Sequence, residues 1–238
     1  MTVPSSPLVI AIDGPSGVGK SSVSKAVAKR LDLAYLDTGA MYRALTWWCV
    51  QQGVDLQDEP AVARAAKDLP LEMGTDPDSP SVRVGGVRID EAIRATAISE
   101  SVSKVATNLE VRAQMRLRQQ ALIAEAVRND GGVVAEGRDI TTVIAPDADV
   151  RILLTATQQA RLARRARELH GDADHAAVDA THDQIVRRDT DDSTVSEFMK
   201  AAPGVTLVDT SDLDFQQSVT AVLGVVRARG SRLVQTKG

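Results

Sequence analysis

The chain has 238 residues, 43% of them hydrophobic and 25% charged, with a net charge of −4, which is the composition of a globular protein of one large or two small domains. The acidic balance argues against a general nucleic-acid binder, which would carry a basic surface. The single cysteine excludes an internal disulfide, and Cys49 reads as a small hydrophobe buried beside Trp47 and Trp48, in a reducing compartment.

In chain order, residues 8–12 form an apolar run that predicts a buried strand. It leads into Gly14-Pro15-Ser16-Gly17-Val18-Gly19-Lys20-Ser21, which has the form G-x-x-x-x-G-K-[ST] of a loop that wraps nucleotide phosphates. The glycines let backbone N–H groups converge on an anion, Lys20 adds a positive charge, and Ser21 offers a hydroxyl for Mg²⁺, directly or through water. Val23, Val27, Ala28 and Leu31 then fall on one face of a helix, whose N-terminus faces the phosphates.

Residues 34–36 predict a second strand, ending at Asp37-Thr38-Gly39-Ala40. A helix over residues 41–51 follows, stopped by Gly53, with Tyr42 and Arg43 in its first turns and Asp37 as a possible cap. One or two helices cover residues 55–67. Residues 69–73, 82–84 and 87–89 are strand-like, and the last two flank Gly85-Gly86, a hairpin signal. A small antiparallel β unit is therefore inserted here, with residues 75–81 as a loop.

Helix returns from Thr96. Thr107-Asn108-Leu109-Glu110 has the spacing of a capping box and opens a long helix to Arg128. Residues 133–135 predict a third strand, closing on Glu136-Gly137-Arg138-Asp139, and residues 150–154 a fourth. A helix over residues 158–169 puts Arg161, Arg164 and Arg165 on one face, a spacing that by itself better describes a solvated surface and reads as a lid only beside the phosphate loop and the strand-end arginines. Residues 170–179 read as a polar loop, 184–188 as a short helix, 205–208 as a fifth strand, 215–229 as a closing helix and 230–238 as a loose tail.

Apolar strands alternating with helices predict an α/β fold, a five-stranded parallel sheet with helices on both faces. Such sheets bind ligands at the carboxyl ends of their strands. The phosphate loop, Thr38, Arg43, Arg138 and Asp139 all follow strand ends and are expected to meet in one crevice.

Four stretches together resemble the bacterial cytidylate (CMP) kinases, within the P-loop nucleoside monophosphate kinases: residues 14–20, 37–43, 136–139 and 188–193. The resemblance runs from Leu8 to Asp209. It implies a core of residues 1–37, 107–157 and 193–238, an acceptor-binding domain over 38–106 that contains the β insert, and a helical lid over 158–192. It implies ATP with Mg²⁺ as donor and CMP or dCMP as acceptor. Gly14, Pro15, Ser16, Gly17, Val18, Gly19, Lys20, Ser21, Ser22 and Arg161 would bind ATP, and Lys20, Arg138, Arg164 and Arg165 would act on the transferring group. On the acceptor side stand Thr38 and Tyr42, with Ser103, Arg112 and Asp139 on the pyrimidine, Arg43 and Arg138 on its phosphate, and Arg188 and Asp192 near the sugar. Val195 stands where the family pattern usually has an arginine, so a phosphate contact is expected to be missing there, with Lys200 as the candidate replacement.

The chemistry asks for such a set. A phosphate monoester has a second pKa of about 6, so the acceptor oxygen is ionised at neutral pH and needs no general base. That suits a chain whose only histidines are His170, His175 and His182, all in the polar stretch. The demand is for positive charge around the transferring group. Other small P-loop kinases, such as a UMP/CMP kinase of broader specificity or a dephospho-coenzyme A kinase, remain alternatives. A GTPase would need a guanine-reading Asn/Thr-Lys-x-Asp stretch, which is absent, and a motor ATPase is disfavoured by the acidic balance and 3% aromatic content. The expected partners are small molecules, with neither nucleic acid nor membrane. No apolar run has membrane-spanning length and residues 1–7 lack signal-peptide character, so a monomeric cytoplasmic chain is expected.

Overall fold

The computed structural model describes residues 7–170 and 187–235, excluding the side chains of Arg165, 168–170 and 230–235. The chain runs β1 (Leu8–Asp13), α1 (Lys20–Leu31), β2 (Ala34–Asp37), α2 (Thr38–Gln51), α3 (Glu59–Asp68), β3 (Leu71–Gly74), β4 (Ser81–Val84) and β5 (Val87–Arg88). It continues through α4 (Thr96–Ala106), α5 (Leu109–Asn129), β6 (Gly132–Gly137), β7 (Val150–Thr155), α6 (Gln158–His170), α7 (residues 187–193), β8 (Thr206–Asp209) and α8 (Phe215–Gln235).

Five strands pair in parallel in the order β2-β6-β1-β7-β8, as the apolar runs predict. Successive residues point to opposite faces, so each strand feeds two cores. Ile10, Ile12, Tyr35, Val134 and Ile152 pack with Val23 and Val27 of α1 and Val219 and Val222 of α8. Ala11, Leu36, Val133 and Ala135 pack on the other side with Met41, Leu45, Val111 and Met115. Cys49 lies fully buried in this second core, with Trp47 and Trp48 packed against it, and burial raises its thiol pKa to about 11.

The register brings the functional segments level. Asp13 lies beside Gly137, and Asp37 beside Glu136, so the phosphate loop, the start of α2 and the turn after β6 leave the sheet at one edge. The inserted unit is the antiparallel sheet β3-β4-β5. Its following loop reaches back to the core, where Thr75 O accepts from Tyr35 N at 2.7 Å on the outer edge of β2, and Asp78 pairs with Lys29 of α1. An otherwise open sheet edge is thereby covered.

Three boundaries differ from expectation. Asn108, not Thr107, caps α5: its Oδ1 accepts from Glu110 N (3.0 Å) and Val111 N (3.2 Å), whereas the Thr107 hydroxyl donates to Ser103 O of α4. α2 starts at Thr38 because Asp37 Oδ1 accepts from Ala40 N at 2.8 Å. α8 continues to Gln235. Gly230 costs a helix about 1 kcal/mol relative to alanine and does not stop this one. The loop expected after His170 and most of the helix expected over 184–188 lie outside the described residues. Among the described residues, no helix is long and apolar enough to cross a membrane.

Asn108 also ties α5 to α3, since its Nδ2 donates to Glu59 O at 2.9 Å. Replacing an N-cap asparagine by alanine costs about 1–2 kcal/mol. Asn108→Ala is therefore expected to lower the unfolding free energy measured in urea by that amount; an unchanged value would show that the cap contributes nothing.

Candidate active site

β1 ends in a carboxylate and a glycine, and both are required by what lies beside them. A Cβ on Gly14 would come within 2.4 Å of Leu154 O, so only glycine lets the loop leave the sheet between β1 and β7. Asp13 is 1% exposed. Its Oδ1 accepts from Ile140 N (2.9 Å) and its Oδ2 from Thr141 N (2.8 Å) and Thr141 Oγ1 (2.6 Å). Burial raises its pKa to about 6, against the pull of those hydrogen bonds from Thr141 and Ile140. The phosphate loop is thus pinned to the π-helical turn Ile140–Ile144 that follows Arg138 and Asp139.

Within the loop, Lys20 Nζ folds back to donate to Pro15 O at 2.8 Å. Burial, with Arg138 nearby, lowers its ammonium below the ordinary lysine value. Ser16 is fully engaged: its N donates to Asp189 Oδ1 (3.1 Å), its O accepts from Arg161 Nη1 (3.1 Å) and its Oγ from Arg138 Nη2 (2.7 Å). Asp189, on α7, also pairs with Arg138 at 2.9 Å and with Arg161. Burial works against its charge, but Arg138, the Ser16 N–H and Arg161 together hold its pKa below the ordinary value.

A cleft of about 1090 Å³ opens over this edge, between the loop, the inserted sheet, α4 and α7. Lys20, Arg43, Ser103, Arg138, Arg164 and Arg188 line it, with Gly17, Val18, Gly19, Ser21 and Ser22. Burial, then Arg138 and Arg43, push the Arg188 guanidinium down to about 9, the sign of three arginines sharing one desolvated space. The counter-charges are largely buried with them. Arg43 Nη2 is 2.9 Å from Asp37 Oδ2, and Arg138 Nε is 3.0 Å from Asp192 Oδ2. Arg43 Nε and Asp192 Oδ1 are buried without a hydrogen-bond partner among the described residues.

Glu136 closes the floor. It accepts from the Tyr35 hydroxyl and hydrogen-bonds to Ser21, and burial, with Asp37 nearby, raises its pKa. Behind the cleft, Arg112 Nη2 pairs with Asp139 Oδ2 at 2.6 Å beside Tyr42. Burial raises Asp139, with Arg112 pulling the other way.

Of the residues singled out from sequence, Thr38 is buried and donates from Oγ1 to Glu136 O at 2.7 Å, and Tyr42 is buried beneath the cleft. Arg164 donates to Thr210 O, Leu213 O (3.1 Å) and Thr210 Oγ1 (2.9 Å), bracing residues 210–213 against the loop. The side chain of Arg165 lies outside the description. Val195 closes the turn after α7 and Lys200 is exposed. Sequence reasoning missed Asp13, Glu136, Asp189 and Phe198. The ring of Phe198 underlies Arg138 with 4.4 Å from guanidinium carbon to centroid. A charged residue closing an apolar strand was the available signal for Asp13 and Glu136.

The family model for cytidylate kinase matches residues 10–228. A cytidylate kinase of Streptomyces avermitilis is 45% identical over 230 residues, covering 96% of this chain and 95% of that one. A cytidylate kinase of Cutibacterium acnes is 47% identical over 222 residues, covering 93% and 96%. Among solved structures, an uncharacterized protein from Eubacterium ventriosum has a TM-score of 0.50 at 10% identity, over 93% of this chain and 99% of that one, a likeness of fold.

Asp13→Ala would leave two backbone N–H groups and a hydroxyl unpaired in the interior. Each buried orphan costs about 1–3 kcal/mol. A loss of at least 2 kcal/mol in chemical denaturation is the expected result, and a loss below about 0.5 kcal/mol would mean that the turn is held by other contacts.

Proposed function

This chain belongs to the cytidylate kinase family, and we propose that it transfers the γ-phosphoryl group of ATP to CMP or dCMP, giving ADP and CDP or dCDP. The observation that carries this reading is the convergence of Arg43, Arg138 and Arg188 on a cleft floored by Lys20 and the phosphate loop. An acceptor phosphate would add an anion within reach of all three guanidinium groups. Its ionised oxygen attacks the γ-phosphorus as the bond to the bridging β,γ-oxygen breaks, and ADP leaves in line.

In this reading the backbone N–H groups of residues 16–21 and the Lys20 ammonium hold the donor phosphates, and Arg161 steadies Ser16. Arg43, Arg138 and Arg188 grip the acceptor phosphate, where planar forks suit bidentate contacts. Asp192 lies on the sugar side. Arg112 donates to N3 and O2 of cytosine, and Asp139, with Ser103, accepts from its amino group. A role for Arg164 on the transferring group would require it to exchange its carbonyl partners for phosphate oxygens.

The Ser21 hydroxyl and the nearby Glu136 and Asp37 carboxylates are hard oxygen ligands, which fits Mg²⁺ held mostly by phosphates and water. Ser21 would hold it, with the two carboxylates reaching its waters. The ion supplies neutralisation of the β- and γ-phosphate charge. We also propose that residues 38–106 form the acceptor-binding domain and 158–192 the lid, and that the enzyme works in the cytoplasm, where a buried free thiol is stable.

Lys20→Ala should leave the circular dichroism spectrum intact while turnover falls at least about 10²-fold, the usual cost of a lost transition-state charge contact. Since the folded-state lysine pKa is lowered, its charge is present at low pH and lost as pH rises. In wild type, kcat/KM for ATP, which reports the free enzyme, should therefore decline below the ordinary lysine value of about 10.4. A flat profile to that pH would contradict the role assigned to Lys20.

Uracil carries a proton at N3 and an acceptor at position 4, so it opposes both Arg112 and an ionised Asp139. CMP and dCMP should be preferred over UMP, because buried polar groups reject ligands that leave them unpaired. Arg112→Met is expected to lower kcat/KM for CMP much more than for UMP. Equal loss for both acceptors would remove Arg112 from base recognition.

A further inference from the structure

Phe198 is fully buried although residues 196–200 form neither helix nor strand. Its ring lies against one face of the Arg138 guanidinium. Nη2 of the same group donates to Ser16 Oγ (2.7 Å); Asp189 Oδ1 lies 2.9 Å from Nη1 and Asp192 Oδ2 3.0 Å from Nε as ion pairs, and Nη1 makes no hydrogen bond among the described residues. One hydrogen bond, two ion pairs and one stacked ring thus hold Arg138.

The ring does something that the carboxylates cannot. Arg138 acts on Lys20 and Arg188 as a like charge and lowers the pKa of both. It is therefore pushed away from the cleft that these cations share. Asp189 and Asp192 counter that push by charge, but each carboxylate stands where a phosphate oxygen would have to come. An aromatic face attracts a cation through its quadrupole and uses no donor. The same stretch of chain offers no cation of its own beside Arg138: Val195 closes the turn and Lys200 is exposed.

We propose that Phe198 is a positioning residue for the acceptor phosphate. It holds the Arg138 guanidinium at the mouth of the cleft while leaving its donors available, and it makes up for the absence of a second cation from residues 194–200. The proposal rests on the reading of Arg138 as a ligand of the acceptor phosphate. A filler of the core would need only volume; a support for a cation needs an aromatic face.

The test compares Phe198→Leu, Phe198→Met, Phe198→Tyr, Arg138→Gln and the double variant Phe198→Leu/Arg138→Gln. CMP and ATP dissociation constants are measured by calorimetry on the full chain, with melting temperature alongside. Phe198→Leu and Phe198→Met should weaken CMP binding about five- to thirty-fold, the range of a desolvated cation–π contact, and change ATP binding by less than about twofold. Phe198→Tyr should retain most of the affinity. In the Arg138→Gln background the leucine substitution should add less than about twofold. The proposal is overturned if the leucine and methionine variants lower only the melting temperature, or if their effect on CMP is equally large without the Arg138 charge. Unchanged CMP binding in Arg138→Gln itself would overturn the underlying reading of Arg138, and this proposal with it.

Discussion

The organising constraint is the cost of gathering positive charge at one edge of a sheet. Two unit charges 4 Å apart interact by about 4 kcal/mol at the effective dielectric of a protein surface, and repulsion of that order must be opposed before any ligand arrives. Here the opposition is built from carboxylates on separate elements. Asp37 at the start of α2 faces Arg43, Asp189 and Asp192 on α7 face Arg138, and Glu136 at the end of β6 lies near Lys20. Burial first, and the remaining repulsion from Arg138 second, still lower the pKa values of Lys20 and Arg188. A site in this state favours an anion by default.

That arrangement depends on the sheet being parallel and in register. With Asp13 beside Gly137, and Asp37 beside Glu136, three connections leave at one level, and each carries a charged residue within a few positions of its strand end. The carboxylate of Asp13 then fixes one connection to another, because its acceptors serve the backbone of the turn after β6. Gly14 allows the loop to pass the Leu154 carbonyl in the remaining space. Rigid strand ends and short connections hold charged groups together that would otherwise separate.

The strands, the inserted hairpin and the helical faces were legible because each rests on local chemistry: apolar runs, paired glycines, and residues spaced by a helical turn. The phosphate loop was legible for the same reason, being contiguous. The cap of α5 was misread by one residue because Thr107 and Asn108 are both capable caps, and only the contact of Asn108 with Glu59 on α3 separates them. Glu136, Asp189 and Phe198 were not legible as site residues. Their partners are far away in sequence, Ser16 and Asp189 being separated by 173 positions, and neither a carboxylate nor a phenylalanine announces which cation it will meet.

Asp189 shows why such a residue belongs where it is. Its carboxylate takes an N–H of the phosphate loop and two guanidinium groups, a donor set of the kind that holds phosphate oxygens. An anion on α7 thus makes the empty loop and two arginines mutually tolerable, and it does so from an element outside the loop. Phosphate would meet these donors already gathered, so that less ordering remains to be done on binding. The same carboxylate also competes for them. The balance is favourable to the ligand only if the arginines keep donors free, which is why a support that uses none, such as the ring beneath Arg138, matters to the site.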